Sequence, residues 1–125
     1  MHPFHEVNPF EPELVAARKR AKKLCQELNA LSADQMKARK PIYQQLFGQV
    51  SSAYIEPNFF CDYGSNIFLG DRFYANHNCI ILDCAEVRIG NRVMFGPNVQ
   101  IYATTHPLDP IERATGKEFS AAVTI

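Results

Sequence analysis

One histidine in the second half of the chain stands in a setting suited to acid–base chemistry. His106 lies in a segment from Thr104 to Ser120 that is rich in Pro, Asp and Glu and follows a regular pattern ending at Ile101. Long segments that interrupt a regular scaffold are frequently functional. An imidazole titrates near neutral pH, as a general base must. Because a lone loop histidine is more often simply solvated, position alone leaves both interpretations open.

The cysteines give no metal signature. Cys25, Cys61, Cys79 and Cys84 form no close Cys-x-x-Cys pair and have no histidine at zinc-ligand spacing. We therefore expect no metal site and interpret the four as reduced, small hydrophobic side chains. The glycine-rich motifs GxGxxG and GxxxxGKS, which cradle nucleotide phosphates, do not occur either.

The scaffold that leads up to His106 repeats every six residues. Ile89, Phe95 and Ile101 are six apart, and the phrase Leu69–Phe73 returns twenty residues later as Ile89–Val93. A six-residue period fits neither a helix nor simple strand alternation and is typical of a β-helix made of short strands and turns. If each coil of twenty residues has three sides of six residues, two residues are surplus, and we place these two near Cys84-Ala85.

The residues before the repeats predict a small helical unit, residues 1–52, that precedes the β-helix of residues 53–125. Pro12 and Glu13 favour a helix start. The apolar residues that follow recur at spacings of three and four, as on one helix face: Leu14, Ala17, Ala21, Leu24, Leu28 and Leu31. A second helix is expected to carry Met36 on its inner face and to be interrupted at Pro41. Two short helices cannot bury a core alone, so they must pack on the repeats.

The composition narrows the class of protein. The chain has 125 residues, enough for one domain, and 13 basic against 13 acidic residues. A net charge of zero argues against a nucleic-acid binder, which needs a basic surplus. No apolar run approaches the ~18 residues of a membrane span, and the N-terminus shows no secretory signal. We expect a cytoplasmic protein without nucleic-acid or membrane partners.

Several motifs resemble one known family. They are Cys61-Asp62-Tyr63-Gly64, Phe73-Tyr74-Ala75-Asn76, Gly96-Pro97-Asn98-Val99 and Thr105-His106-Pro107. Together they are similar to the maltose, galactoside and nodulation O-acetyltransferases, which are hexapeptide-repeat acyltransferases. The helical N-terminus with Arg18 resembles the small domain that precedes the repeats in that group. The resemblance implies a mainly β fold, a left-handed parallel β-helix preceded by a small α-helical N-terminal domain.

The resemblance also implies a reaction, the transfer of an acetyl group from acetyl-CoA to a hydroxyl of a sugar. His106 matches the catalytic histidine of the family, and Asn76 matches an asparagine that can stabilise the oxyanion. Glu118 falls where many members carry a glutamate that orients the histidine. Four further residues match acceptor-binding positions: Arg18, Asp62, Tyr74 and Asp83. Near Asn8-Pro9 many relatives carry an aspartate that this chain lacks.

Members of the family form homotrimers with the active site between neighbouring subunits, and the catalytic loop 102–122 would reach toward the adjacent copy. The strand-like Val123-Thr124-Ile125 predicts the start of a further coil, so we expect a C-terminally truncated member. The missing coils would supply most of the CoA groove. Two functions therefore remain: a sugar O-acetyltransferase acting on maltose, glucose, galactosides or lipo-oligosaccharide cores, or a catalytically inactive fragment or structural, oligomerising module.

Overall fold

The structure, a computed structural model, describes residues 4–125 and places two helices before a series of short strands. The N-terminal elements are β1 (His5–Val7), α1 (Pro12–Asn29) and α2 (Met36–Leu46). The strands of the first half of the repeat region are β2 (Ala53–Ile55), β3 (Phe59–Cys61), β4 (Ile67–Leu69), β5 (Phe73–Ala75), β6 (Cys79–Leu82) and β7 (Val87–Ile89). They are followed by β8 (Met94–Phe95), β9 (Gln100–Tyr102), β10 (Thr104–Thr105), α3 (Pro110–Arg113), β11 (Glu118–Ser120) and β12 (Val123–Thr124).

Three parallel sheets form the three faces of a prism: β2–β5–β8, β3–β6–β9 and β4–β7–β12. From β2 to β9, paired residues of successive coils are twenty positions apart, as Ala53 with Phe73 and Phe59 with Cys79 show. The predicted parallel β-helix is therefore confirmed. The two extra residues of each coil lie in one corner, because Cys79 and Val87 are eight positions apart rather than six. That corner contains Cys84 and Ala85, as expected.

Inward-facing side chains of the strands fill the interior of the prism. At the turn that contains Gly70, the backbones of two coils lie too close together for a side chain. Phe59, Ile67 and Phe73 are buried, as the alternation along short strands requires. Where one coil passes over the next, a Cβ on Gly70 would lie 2.5 Å from the carbonyl carbon of Gly90. The close stacking of coils at this corner thus requires glycine.

The helical pair packs on the prism through a continuous core. Leu24 and Leu28 of α1 are buried, as the helical spacing predicted. At the centre lies Arg39 of α2, which is fully buried. Its guanidinium donates to the carbonyls of Leu28 at 2.8 Å and Leu31 at 3.0 Å, near the end of α1, and to the carbonyl of Ile55 in β2. One cation therefore joins both helices to the first coil, and the negative end of the α1 dipole favours its charge.

Two predictions for the second helix are wrong. Pro41 does not interrupt the chain but lies inside the continuous helix α2. Met36, expected to face inward, is 36% exposed, while Ile42, Tyr43 and Leu46 make the buried face. Packing of that face outweighs the roughly 3 kcal/mol that an interior proline costs.

The segment that breaks the repeat forms a small sheet of its own. β11 pairs antiparallel with β10 on one side and with β1 on the other, so that Glu118 lies opposite Val7. The chain then returns to the prism, where β12 pairs with β7 and Val123 lies beside Val87. The predicted strand at Val123 is therefore confirmed, and it supplies the third side of the coil that contains β8 and β9. That a further coil begins there stays a prediction.

Candidate active site

His106 follows β10 and is half-buried at the start of the loop. Its Nδ1 lies 3.0 Å from the backbone carbonyl oxygen of Lys117. Because a carbonyl can only accept, Nδ1 carries the proton in this contact and donates it. The neutral ring then has its lone pair on Nε2, which is the form that a general base requires.

The Lys117 segment is held in place by its own side chain. The ammonium lies 2.9 Å from Oε1 of Glu6 in β1 and 3.1 Å from Oε1 of Glu112 in α3. Hydrogen bonds to these two carboxylates raise the pKa of Lys117. The N-terminal strand and the short loop helix are thereby tied to the carbonyl group that orients His106.

Glu118 points toward a different neighbour. Its Oε2 accepts a weak hydrogen bond from Sγ of Cys84 at 3.7 Å. The backbone carbonyl of Lys117 occupies the orienting position that the resemblance implies for Glu118. An orienting role for Glu118 stays a prediction.

Asp62 and Asp83 lie together in the corner below this loop. The fully buried Asp83 accepts hydrogen bonds through Oδ1 from the backbone amides of Asp62 at 3.0 Å and Tyr63 at 2.9 Å. Among residues 4–125, its Oδ2 has no hydrogen-bond partner, and burial raises the pKa of Asp83. Asp83 thus fixes the backbone under Asp62. Burial, and then the Asp83 charge, raise the pKa of Asp62 to about 6.

Arg18 reaches the same corner from α1. Its guanidinium donates to the Tyr63 hydroxyl at 3.0 Å and to the Pro9 carbonyl at 2.7 Å. A groove of about 680 Å³ opens between α1 and β3, and Arg18 and Asp62 both line it. The groove therefore offers a cation and a carboxyl group of raised pKa, which are groups that bind hydroxyl-rich ligands.

Asn76 and Tyr74 lie at another corner of the prism. Asn76 follows β5, and its Oδ1 accepts from the backbone amide of His77 at 2.7 Å. Tyr74 lies within β5 and stacks on Tyr54, with ring centroids 6.0 Å apart. We call residues 76–78, between β5 and β6, the asparagine corner, and residues 83–86 with the loop 103–122 above them the histidine corner.

The two corners lie at opposite ends of the face made by β3, β6 and β9. Asn76 and Asp83 are seven positions apart across that face, roughly 20 Å at the rise of a β-strand. The structure therefore brings Arg18, Asp62 and Asp83 together below the loop of His106, and leaves Asn76 and Tyr74 apart from them within one chain.

Two residues that contact the site residues were not predicted from the sequence. Tyr63 stands inside the motif Cys61-Asp62-Tyr63-Gly64, so its position beside Asp62 was a usable signal. Lys117 acts on His106 through its backbone carbonyl, which every residue type carries, so no side-chain pattern could have revealed it.

Among residues 4–125, no three His, Cys, Asp or Glu side chains come together in a way that could hold a metal ion. Within the same residues, no helix combines the length and the apolar character that crossing a membrane requires.

Comparison with known proteins identifies relatives along most of the chain. Residues 8–51 match the family model described as the maltose acetyltransferase hexapeptide capping motif. Nodulation protein L of Rhizobium meliloti is 38% identical over 119 residues, which is 94% of this chain and 65% of that protein.

Two solved structures share the fold at appreciable sequence identity. A maltose O-acetyltransferase from Clostridium difficile superposes with a TM-score of 0.89 and 40% identity, over 94% of this chain and 63% of that one. A galactoside acetyltransferase in complex with coenzyme A gives a TM-score of 0.88 and 33% identity, over 94% and 59%. The chain spans between 60% and 65% of the length of four curated relatives that it matches.

Proposed function

Because the chain belongs to the family of maltose, galactoside and nodulation O-acetyltransferases, which are left-handed β-helix proteins, we propose that it transfers an acetyl group from acetyl-CoA to a hydroxyl of a sugar. The observation that carries this proposal is His106, whose Nδ1 is engaged by the Lys117 carbonyl while Nε2 keeps its lone pair. That arrangement suits a base that removes the proton of an attacking hydroxyl group.

The acceptor is proposed to lie at the histidine corner. The Arg18 guanidinium and the Asp62 carboxyl group can donate to and accept from sugar hydroxyls there, since both line the groove beside β3. Asp83 is fully buried and acts through the backbone of Asp62 and Tyr63. We therefore assign Asp83 a positioning role rather than a direct contact with the sugar.

The oxyanion donor is proposed to come from a second copy of the chain. Asn76 cannot reach His106 within one chain, because the face of β3, β6 and β9 lies between their corners. In a homotrimer the asparagine corner of one subunit can lie against the histidine corner of its neighbour. The Asn76 amide would then stabilise negative charge on the thioester oxygen while His106 holds the acceptor proton. Tyr74, on the same strand as Asn76, would join the acceptor site from that neighbouring copy.

The proposal is tested by measuring the release of free CoA thiol from acetyl-CoA with maltose, glucose or a galactoside as acceptor. We expect His106→Asn to lose at least about a hundredfold in rate, because asparagine keeps a donor toward Lys117 but supplies no base. His5→Ala, which removes an exposed histidine side chain of β1, is the matched control and should keep the rate.

A wild-type rate in His106→Asn would exclude the mechanism. If the unaltered chain shows neither turnover nor heat of CoA binding by calorimetry, the enzyme proposal for this chain is wrong. A structural or oligomerising role within the same family is then the remaining function, and size-exclusion chromatography with light scattering would test it.

A further inference from the structure

Two cysteines that lie far apart in the sequence meet between the helical unit and the prism. Cys25 is on α1 and Cys61 ends β3, and their Sγ atoms are 3.8 Å apart. Both are free thiols. A disulfide bond is about 2.05 Å long, so a closure of roughly 1.8 Å would join them.

Both sulfur-bearing residues line the groove of about 680 Å³ between α1 and β3. Cys25 is only 2% exposed, so a small reagent can reach its sulfur more easily than a large one. The other two cysteines differ in their surroundings. Cys79 is buried inside the prism, and its burial raises its pKa to about 12. Cys84 faces the Glu118 carboxylate, and burial together with that charge raises its pKa as well.

The contact polarises the pair. Either thiol can donate in this contact. With Cys61 as the donor, the hydrogen bond lowers the pKa of Cys25 and raises that of Cys61. The thiolate is the reactive form of cysteine, so with Cys61 as the donor we assign Cys25 as the nucleophile and Cys61 as the proton-bearing partner. A low-pKa thiol beside a second thiol is the arrangement typical of reversible redox sites.

We propose that Cys25 and Cys61 form an oxidation site that a small peroxide converts into a disulfide bond between α1 and β3. The Cys25 thiolate attacks one oxygen of hydrogen peroxide, the O–O bond breaks, and the products are a sulfenic acid and hydroxide. The Cys61 sulfur then attacks the sulfenic sulfur, and the hydroxyl group leaves as water with the thiol proton. Two thiols are oxidised by two electrons in total, and one peroxide is reduced to two waters.

The bond would fix the helix to the coil at the residue that precedes Asp62. It would hold the two walls of the groove together without altering His106 or Asn76. The oxidation needs no acetyl-transfer chemistry, so its failure and a failure of the proposed enzymatic activity are separate results.

The native chain itself allows a direct test, because trypsin separates the cysteines. Cys25 falls in peptide 24–37, Cys61 in peptide 40–72, and both Cys79 and Cys84 in peptide 73–88. The folded, reduced protein is exposed to hydrogen peroxide, quenched with catalase, alkylated with iodoacetamide and digested. We expect mass spectrometry to find peptides 24–37 and 40–72 joined, with the mass of two hydrogens lost, and separated again by dithiothreitol.

Variants test the order of the steps. Cys61→Ser should leave Cys25 as a sulfenic acid that dimedone traps, and Cys25→Ser should label Cys61 about tenfold more slowly. Cys84→Ser is the control and should form the same linked peptides as the unaltered chain. The proposal is overturned if peptides 24–37 and 40–72 are both recovered fully alkylated after oxidation, or if the link involves peptide 73–88. Equal labelling rates in the two variants would overturn the assignment of Cys25 as the attacking sulfur.

Discussion

Sharing of the site between copies of the chain can be tested by mixing two inactive variants. His106→Asn lacks the base and Asn76→Ala lacks the oxyanion donor, so each alone should lose at least about a hundredfold in acetyl transfer. Roughly 20 Å separates the two corners within one chain, whereas reacting groups must meet within about 3.5 Å. On the proposed mechanism, a chain with both residues intact therefore still needs a neighbour.

The proposed trimer predicts how much acetyl-transfer activity the mixture of the two variants should regain. In a ring of three, each site takes its histidine corner from one subunit and its asparagine corner from the next. When the two variants are co-expressed in equal amounts, half of the histidine corners and half of the asparagine corners are intact. About a quarter of the sites then combine two intact halves, and the mixture should show about a quarter of the wild-type rate.

A second mixture serves as the control. Wild-type chain co-expressed with the double variant should give about a quarter of the rate if sites are shared, and about half if each chain works alone. The assay is CoA thiol release per mole of purified protein, with subunit ratios checked by intact mass. If the mixture of single variants is no more active than either variant alone, Asn76 and His106 do not act across a shared interface.

Two further predictions concern stability. Burial raises the pKa of Asp62 from 3.8 to about 6, so the folded state binds this proton more tightly and stability falls as pH rises through that interval. Urea unfolding at pH 4, 5, 6 and 7 measures this decrease in the free energy of unfolding, which should be smaller in Asp62→Asn. The same pH dependence in Asp62→Asn and the unaltered chain would contradict the prediction. Gly70→Ala should cost about 1–3 kcal/mol of unfolding free energy because its Cβ would meet the backbone of Gly90. Gly96→Ala, where a Cβ meets nothing within 4 Å, should stay within about 0.5 kcal/mol, and equal urea midpoints for the two variants would refute the packing argument.

The architecture was largely predictable because apolar residues recur in the sequence at the spacing that the coils of the β-helix require. Each coil needs an inward apolar residue at the same place, so Ile67 and Val87, or Phe59 and Cys79, recur at the spacing of the register. The two surplus residues were located at the corner of Cys84 for the same reason. A local repeat reports on local geometry, and the prediction was correct to that extent.

The remaining features depend on contacts between distant parts of the chain. Pro41 is tolerated in α2 because the face of Ile42 and Leu46 is buried against other elements, which no local rule includes. The burial of Arg39 depends on carbonyls supplied by α1 and β2. At the site, motifs place His106 and Asp62, but the contact of His106 with a backbone carbonyl arises from the pairing of β11, and only the fold supplies it.

The pairing of β1 with β11 has a consequence for the order in which the molecule folds. The coils join residues twenty positions apart, whereas Val7 and Glu118 are more than a hundred positions apart. Long-range pairings are slow to form, since a large loop must close before any contact repays the entropy. We therefore expect the coils to assemble first and the N-terminal strand to dock last. The strands of the prism can then be paired while the ring of His106 still lacks its fixed orientation, so that the proposed acetyl transfer would appear later than β structure during refolding.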